Sequence, residues 1–175
     1  MKYKLLENHR AIRDRFVETY IEPFSDFCAS HREWISGLHI EFTQSYYESM
    51  FMWDRLCCTA EEQSFDDALR FLREKRGNVI FLTESADCDV YEFCALNSQK
   101  EYAAVASAAE LAECAAYEWY TSYELFEQGR YLKKLILPSD LYIFDETFSW
   151  CLILTHETDE SESADSRYCL FVGER

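Results

Sequence analysis

The segment that most constrains the fold is Asn78 to Thr83, where Val79, Ile80, Phe81 and Leu82 run without interruption directly behind the stop signal of Gly77. A short continuous apolar run of this kind fits a strand buried on both faces, which places it inside a sheet rather than at its edge.

The residues before it read as helices. Leu5, Ile12, Phe16 and Tyr20 recur at helical spacing, with Arg10, Asp14 and Glu18 between them, and this helix must end before Pro23. Pro23 suits the first turn of a second helix carrying Phe24, Phe27, Cys28, His31 and Ile35 on one stripe, with Gly37 as its left-handed cap. On that reading Cys28 and His31 are core residues. His39 to Thr43 alternates like a short strand, and Tyr46, Met50, Trp53 and Cys57 suggest a third helix. A fourth is bounded by alternative caps at Thr59 and Ser64 and by Arg76, with Phe65, Ala68, Leu69 and Leu72 as its apolar stripe.

After residue 83 the pattern mixes strands with one long helix. Val90 to Leu96 and Tyr102 to Ala106 are short strand candidates. Between Ala108 and Gln128, the stripe Glu110, Glu113, Tyr117, Thr121, Glu124 and Gln128 sets off a wide buried face that includes Leu111, Ala112, Ala115, Trp119 and Phe126. Beyond the turn signal Leu137-Pro-Ser-Asp140, three strand candidates, Leu141 to Asp145, Ser149 to Thr155 and Arg167 to Val172, form an antiparallel meander. Helices before and between strands, without βαβ repetition, define one α+β domain over residues 1–175, with helices packed on one face of a mostly antiparallel sheet.

Charge narrows the partners. The chain carries 33 acids against 17 Lys and Arg, a net charge of −16. Residues 77–175 hold most of that excess, with a net −13 against −3 for residues 1–76, so the acidity is regional. A surface of this sign opposes nucleic acid and anionic membranes, both of which need clustered bases. The charged N-terminus offers no signal peptide and no window is apolar enough to span a bilayer, so the expected location is cytoplasmic. In that compartment the eight cysteines are expected to be reduced and mostly buried. Their spacing is not that of a zinc site: Cys57 and Cys58 are adjacent, Cys88 and Cys94 lie six apart, and the rest are solitary apart from the pairing of Cys28 with His31.

With only four glycines, neither a phosphate loop nor a dinucleotide fingerprint can be written, and no nucleophile elbow exists. Along the strand after Ser149, alternation puts Trp150, Leu152, Leu154 and His156 on one face and Cys151, Ile153 and Thr155 on the other, which separates Cys151 from His156 unless a bulge intervenes. His156, with Glu157, Asp159 and Glu160 after it, resembles part of a metal-binding set but lacks a second His at i+4, and a histidine at a hairpin end bonded to a neighbouring carboxylate is its plainest reading. The densest acidic segment follows it. Glu157, Asp159, Glu160, Glu162 and Asp165 read either as a solubilising loop or as a docking surface for a basic partner.

The stretches Leu137 to Asp145, Phe148-Ser-Trp150 and Leu154-Thr-His-Glu157 resemble the ending of small uncharacterised bacterial α+β proteins, with fainter likeness at residues 50–56 and 77–84. Some of those proteins occur among candidate immunity proteins of polymorphic toxin systems. The resemblance implies occlusion of a protein partner and carries over no functional residue. The expected function is therefore a non-catalytic, cofactor-free, acidic binding protein, monomeric or weakly dimeric, that occludes a basic protein. The alternatives are a small metal- or acid-dependent enzyme at His156, and a scaffold or interaction subunit.

Overall fold

The computed structural model describes residues 1–83, 102–130, 132, 135–138, 140–158 and 166–173. Its elements run β1 (Tyr3–Leu5), α1 (His9–Tyr20), α2 (Phe24–Ser30), α3 (Arg32–Ser36), α4 (Gln44–Ser49), a 3-10 turn (Met52–Arg55), β2 (Glu61–Gln63), α5 (Phe65–Glu74), β3 (Asn78–Leu82), β4 (Ala103–Ser107), α6 (Ala108–Glu127), β5 (Leu141–Phe144), β6 (Trp150–Thr158) and β7 (Arg167–Gly173). The strands form one antiparallel sheet in the order β1-β4-β3-β5-β6-β7-β2. The class is α+β, and β5, β6 and β7 make the C-terminal meander.

β3 lies inside the sheet, between β4 and β5, and its side chains divide between two cores. Val79 and Phe81 join Leu69 and Leu72 of α5 and Leu111 and Ala115 of α6. Ile80 and Leu82 join Phe16 and Tyr20 of α1 and Met52 of the 3-10 turn. Helices thus cover both faces of the sheet, not one. A strand that is apolar on both sides requires this, because either face left bare would expose large side chains to water.

Local chemistry sets the boundaries. Ser64 caps α5, its hydroxyl accepting the Asp67 backbone N–H at 3.1 Å, and Gly77 turns the chain into β3 at φ +94°. The β5–β6 hairpin turns through Asp145, whose carboxylate accepts hydrogen bonds from the backbone and hydroxyl of both Thr147 and Ser149. Phe148 pays for the turn with a left-handed φ of +59°, held by packing of its ring on Phe144 and by the Tyr20 hydroxyl, which donates to the Phe148 carbonyl at 2.7 Å.

Several expectations are corrected. The helix begun after Pro23 breaks at His31, which leaves helical geometry between α2 and α3. The break rotates the stripe, so His31 is exposed and stacks on Phe27 at 4.1 Å while Cys28 is half-buried. Gly37 sits at φ −83° and is no left-handed cap. His39 to Thr43 forms no strand, the helix expected around Tyr46 to Cys57 divides into α4 and the 3-10 turn, and Phe126 of α6 is exposed. The two outermost strands, β1 and β2, went unread because three residues show no period. The strand candidate at residues 90–96, with Cys88 and Cys94, lies outside the described residues.

Candidate functional site

Strand β6 runs past the core into an irregular stretch. Leu154 pairs with Cys169 and Thr158 with Arg167, so the register shifts between them. Side chains lock the bulge. The Thr155 hydroxyl donates to the Tyr168 carbonyl at 2.7 Å and accepts from the Glu157 N–H at 3.2 Å, while Arg167 Nε donates to the Thr155 carbonyl at 2.7 Å.

His156 lies within the bulge, at the rim of the sheet. Its ring contacts Phe51 at 5.1 Å and Trp53 at 6.5 Å, and Trp53 packs against the α1-side core. Asp140, fully buried before β5, receives both the His156 backbone N–H at 2.8 Å and Nδ1 at 2.9 Å. The plain reading of a histidine bonded to a carboxylate therefore stands, and the carboxylate comes from the Leu137-Pro-Ser-Asp140 turn rather than from the acidic segment. Cys151 is fully buried in the α1-side core, and the partner of His156 Nδ1 is Asp140 rather than this thiol.

On the α6 side, His156 borders a half-open pocket of about 180 Å³ with Glu118, Trp119, Ser122, Leu137 and Arg167. The two charged groups there are committed to structure. Glu118 accepts the N–H groups of Ile136 at 2.6 Å and Leu137 at 2.9 Å; burial pushes its carboxyl up, and those hydrogen bonds pull it back. Arg167 lies over the Trp119 ring at 4.3 Å.

On the other flank carboxylates converge. The phenol of Tyr168 donates to Glu62 of edge strand β2 at 3.2 Å, and its ring meets Trp53 at 6.5 Å. Trp53 stacks on Phe51 at 5.5 Å. Asp54 keeps contact with solvent, yet burial, then the repulsion of Glu157 and Asp140, push its carboxyl above the usual aspartate range against the pull of Arg55 and His156. Burial, then Glu62, Glu157 and Asp54, likewise push the Tyr168 phenol up. None of Asp54, Glu62 and Glu157 has an ion-pair partner among the described residues.

Of the acidic segment, Glu157 is exposed on this flank, whereas Asp159, Glu160, Glu162 and Asp165 lie outside the described residues. Sequence reasoning missed Asp54, Glu62, Tyr168 and Trp53, which come from three separate segments. Asp140 carried a signal, being the last residue of a marked turn. Among the described residues no group of three or more His, Cys, Asp or Glu is placed to hold a metal ion. Compared with known proteins, the chain matches no family model, no curated protein and no solved structure.

Proposed function

We propose that this chain is a non-catalytic acidic binding protein that docks a basic protein partner on the flank formed by Asp54, Glu62 and Glu157. The observation that carries the reading is the crowding of these carboxylates around the rings of Trp53 and Tyr168, with Asp54 pushed above its ordinary pKa by burial first and by Glu157 next. Like charges held together are destabilising in the free protein, and a cationic side chain arriving among them relieves the repulsion while lying over an aromatic face. The excess of −13 over residues 77–175 adds a long-range field that speeds encounter with a basic surface. The likeness of residues 137–157 to proteins found among candidate immunity proteins gives this docking its biological form, occlusion of a toxin domain.

The test uses the full chain as bait in its native source, beside the variant Asp54→Asn, Glu62→Gln, Glu157→Gln. The reading expects one stoichiometric basic protein on the wild type. Once purified, that partner associates with the variant about tenfold more slowly at low salt, and the difference shrinks at high salt. Absence of any basic partner, or unchanged association at low salt, refutes it.

A second reading, acid–base chemistry at His156, is favoured by one observation: the buried Asp140 carboxylate accepts Nδ1–H and so leaves Nε2 as the basic nitrogen of a ring bordering the pocket. It predicts that His156→Gln docks any partner normally and abolishes a turnover that the wild type shows.

A further inference from the structure

Cysteine is among the most consistently buried residue types, and Cys151 and Cys169 follow that rule. Cys57 and Cys58 do not; both are exposed, and they are adjacent. Their backbone is tied down. The Cys57 N–H donates to the Tyr20 carbonyl at 2.8 Å, and the bridge between Ile21 and Leu56 fixes the preceding residue against the end of α1. The Cys57 thiol donates to the Thr19 carbonyl at 3.4 Å, and the Cys58 thiol lies near enough to Cys57 for the two to influence each other's ionisation. Two sulfurs are therefore held side by side at the surface on an anchored peptide.

We infer that Cys57 and Cys58 form a dithiol site that captures monosubstituted trivalent arsenicals, closing a chelate through both sulfurs. Three arguments select this ligand class. A structural zinc site takes four ligands and a catalytic one three plus water, and no such group exists among the described residues. Thiolate donors favour soft centres, and an arsenical that already carries one organic substituent needs only two sulfurs. Single-thiol chemistry is disfavoured, because burial and then the Cys57 neighbour push the Cys58 thiol up to about 11, leaving little thiolate at neutral pH. Pairing compensates, since the second As–S bond forms intramolecularly at high effective concentration.

The step balances with phenylarsine oxide. Each sulfur forms one bond to arsenic, the arsenic–oxygen bond breaks, and the oxygen leaves as water with both thiol protons. Arsenic stays trivalent and no sulfur is oxidised.

The experiment treats the reduced full chain with phenylarsine oxide in excess 2-mercaptoethanol and reads the adduct by intact mass. The wild type should retain one phenylarsenic per chain, lose it to 2,3-dimercaptopropanol, and keep it in Cys28→Ser and Cys114→Ser. Cys57→Ser and Cys58→Ser should each abolish retention, with circular dichroism confirming the fold. If Cys58→Ser fails to fold, Cys57→Ser decides alone. Loss of the wild-type adduct to the monothiol, or its survival in Cys57→Ser, overturns the assignment.

Discussion

Trp150→Ala tests the packing logic of the sheet where it can be worked through atom by atom. Trp150 opens β6 and is 4% exposed. Its ring meets Phe71 of α5 edge-on at 5.0 Å, and Phe71 in turn meets Phe171 of β7 edge-on at 5.0 Å. Lys75 lies over both, 4.4 Å from Phe71 and 5.0 Å from Trp150. Across the ladder Trp150 faces Gly173, where a Cβ would stand 2.4 Å from the Ser149 carbonyl oxygen and 2.8 Å from the Trp150 Cα. The tight pairing with Gly173 holds the Trp150 backbone in place, so the strand itself shifts little when the indole is removed. Loss of a buried Trp costs about 3–5 kcal/mol, including the edge-to-face pair. The flexible Lys75 can settle partly into the gap, which favours the lower half of that range. For a chain of 175 residues, about 3–4 kcal/mol lowers Tm by roughly 6–16 °C. Urea unfolding should show a lower midpoint at an unchanged slope, and Trp150→Phe, which keeps an aromatic edge toward Phe71, should lose about half as much. A Tm change under about 3 °C for the alanine variant, or equal losses for both, would refute the reasoning.

Asp145→Asn should be less stable than wild type at neutral pH, and the gap should close in acid. Burial opposes ionisation at Asp145, but hydrogen bonds from Thr147 and Ser149 prevail and hold its carboxyl below the usual range, so its contribution is present above the unfolded pKa of about 3.9 and lost as pH falls through the folded value; melts at neutral and acid pH check this. Asp54→Asn should do the reverse. A raised carboxyl costs stability once ionised, so the variant should melt slightly higher at neutral pH, with the gain vanishing as pH falls through the raised folded pKa and then the ordinary one. A lower neutral-pH melt would contradict the burial and crowding that raise its carboxyl. Asp140→Asn should release the His156 ring from its Nδ1–H tautomer, a change that nitrogen-15 NMR of the imidazole reads directly.

The parts of the fold that were legible share one property: enough consecutive residues to display a period. β3, α5, α6 and the β5–β7 meander each repeat an apolar pattern against one or two fixed surfaces, so periodicity carries their position. β1 and β2 are three residues each, almost wholly exposed, and exist only because β4 and β7 offer free edges to them. Nothing within Tyr3–Leu5 or Glu61–Gln63 encodes that pairing. The break at His31 has the same origin. Phe27 packs with Trp34, Phe42 and Tyr47 in an aromatic cluster that spans α2, the following loop and α4. Stacking His31 on Phe27 within it overrides the continuous helix that local spacing favours.

The candidate site was legible only along a single strand. His156 and Glu157 stood out because they are neighbours in sequence, and the reading attached to them the acids that follow in the chain. The structure attaches others, and the reason is topological. β2 returns from the N-terminal half to pair with β7, which brings Glu62 to Tyr168, while the 3-10 turn packs under the same strands and delivers Trp53 and Asp54. Charge bookkeeping by chain segment therefore assigned Asp54 and Glu62 to the nearly neutral half although they stand beside Glu157 of the acidic one. What decides the electrostatics of the flank is the sheet order, and the bulge between Leu154 and Thr158 decides which way His156 and Glu157 face within it. Thr155 holds that bulge through the Tyr168 carbonyl and the Glu157 N–H, so the docking flank includes a local irregularity that no residue-by-residue period can announce.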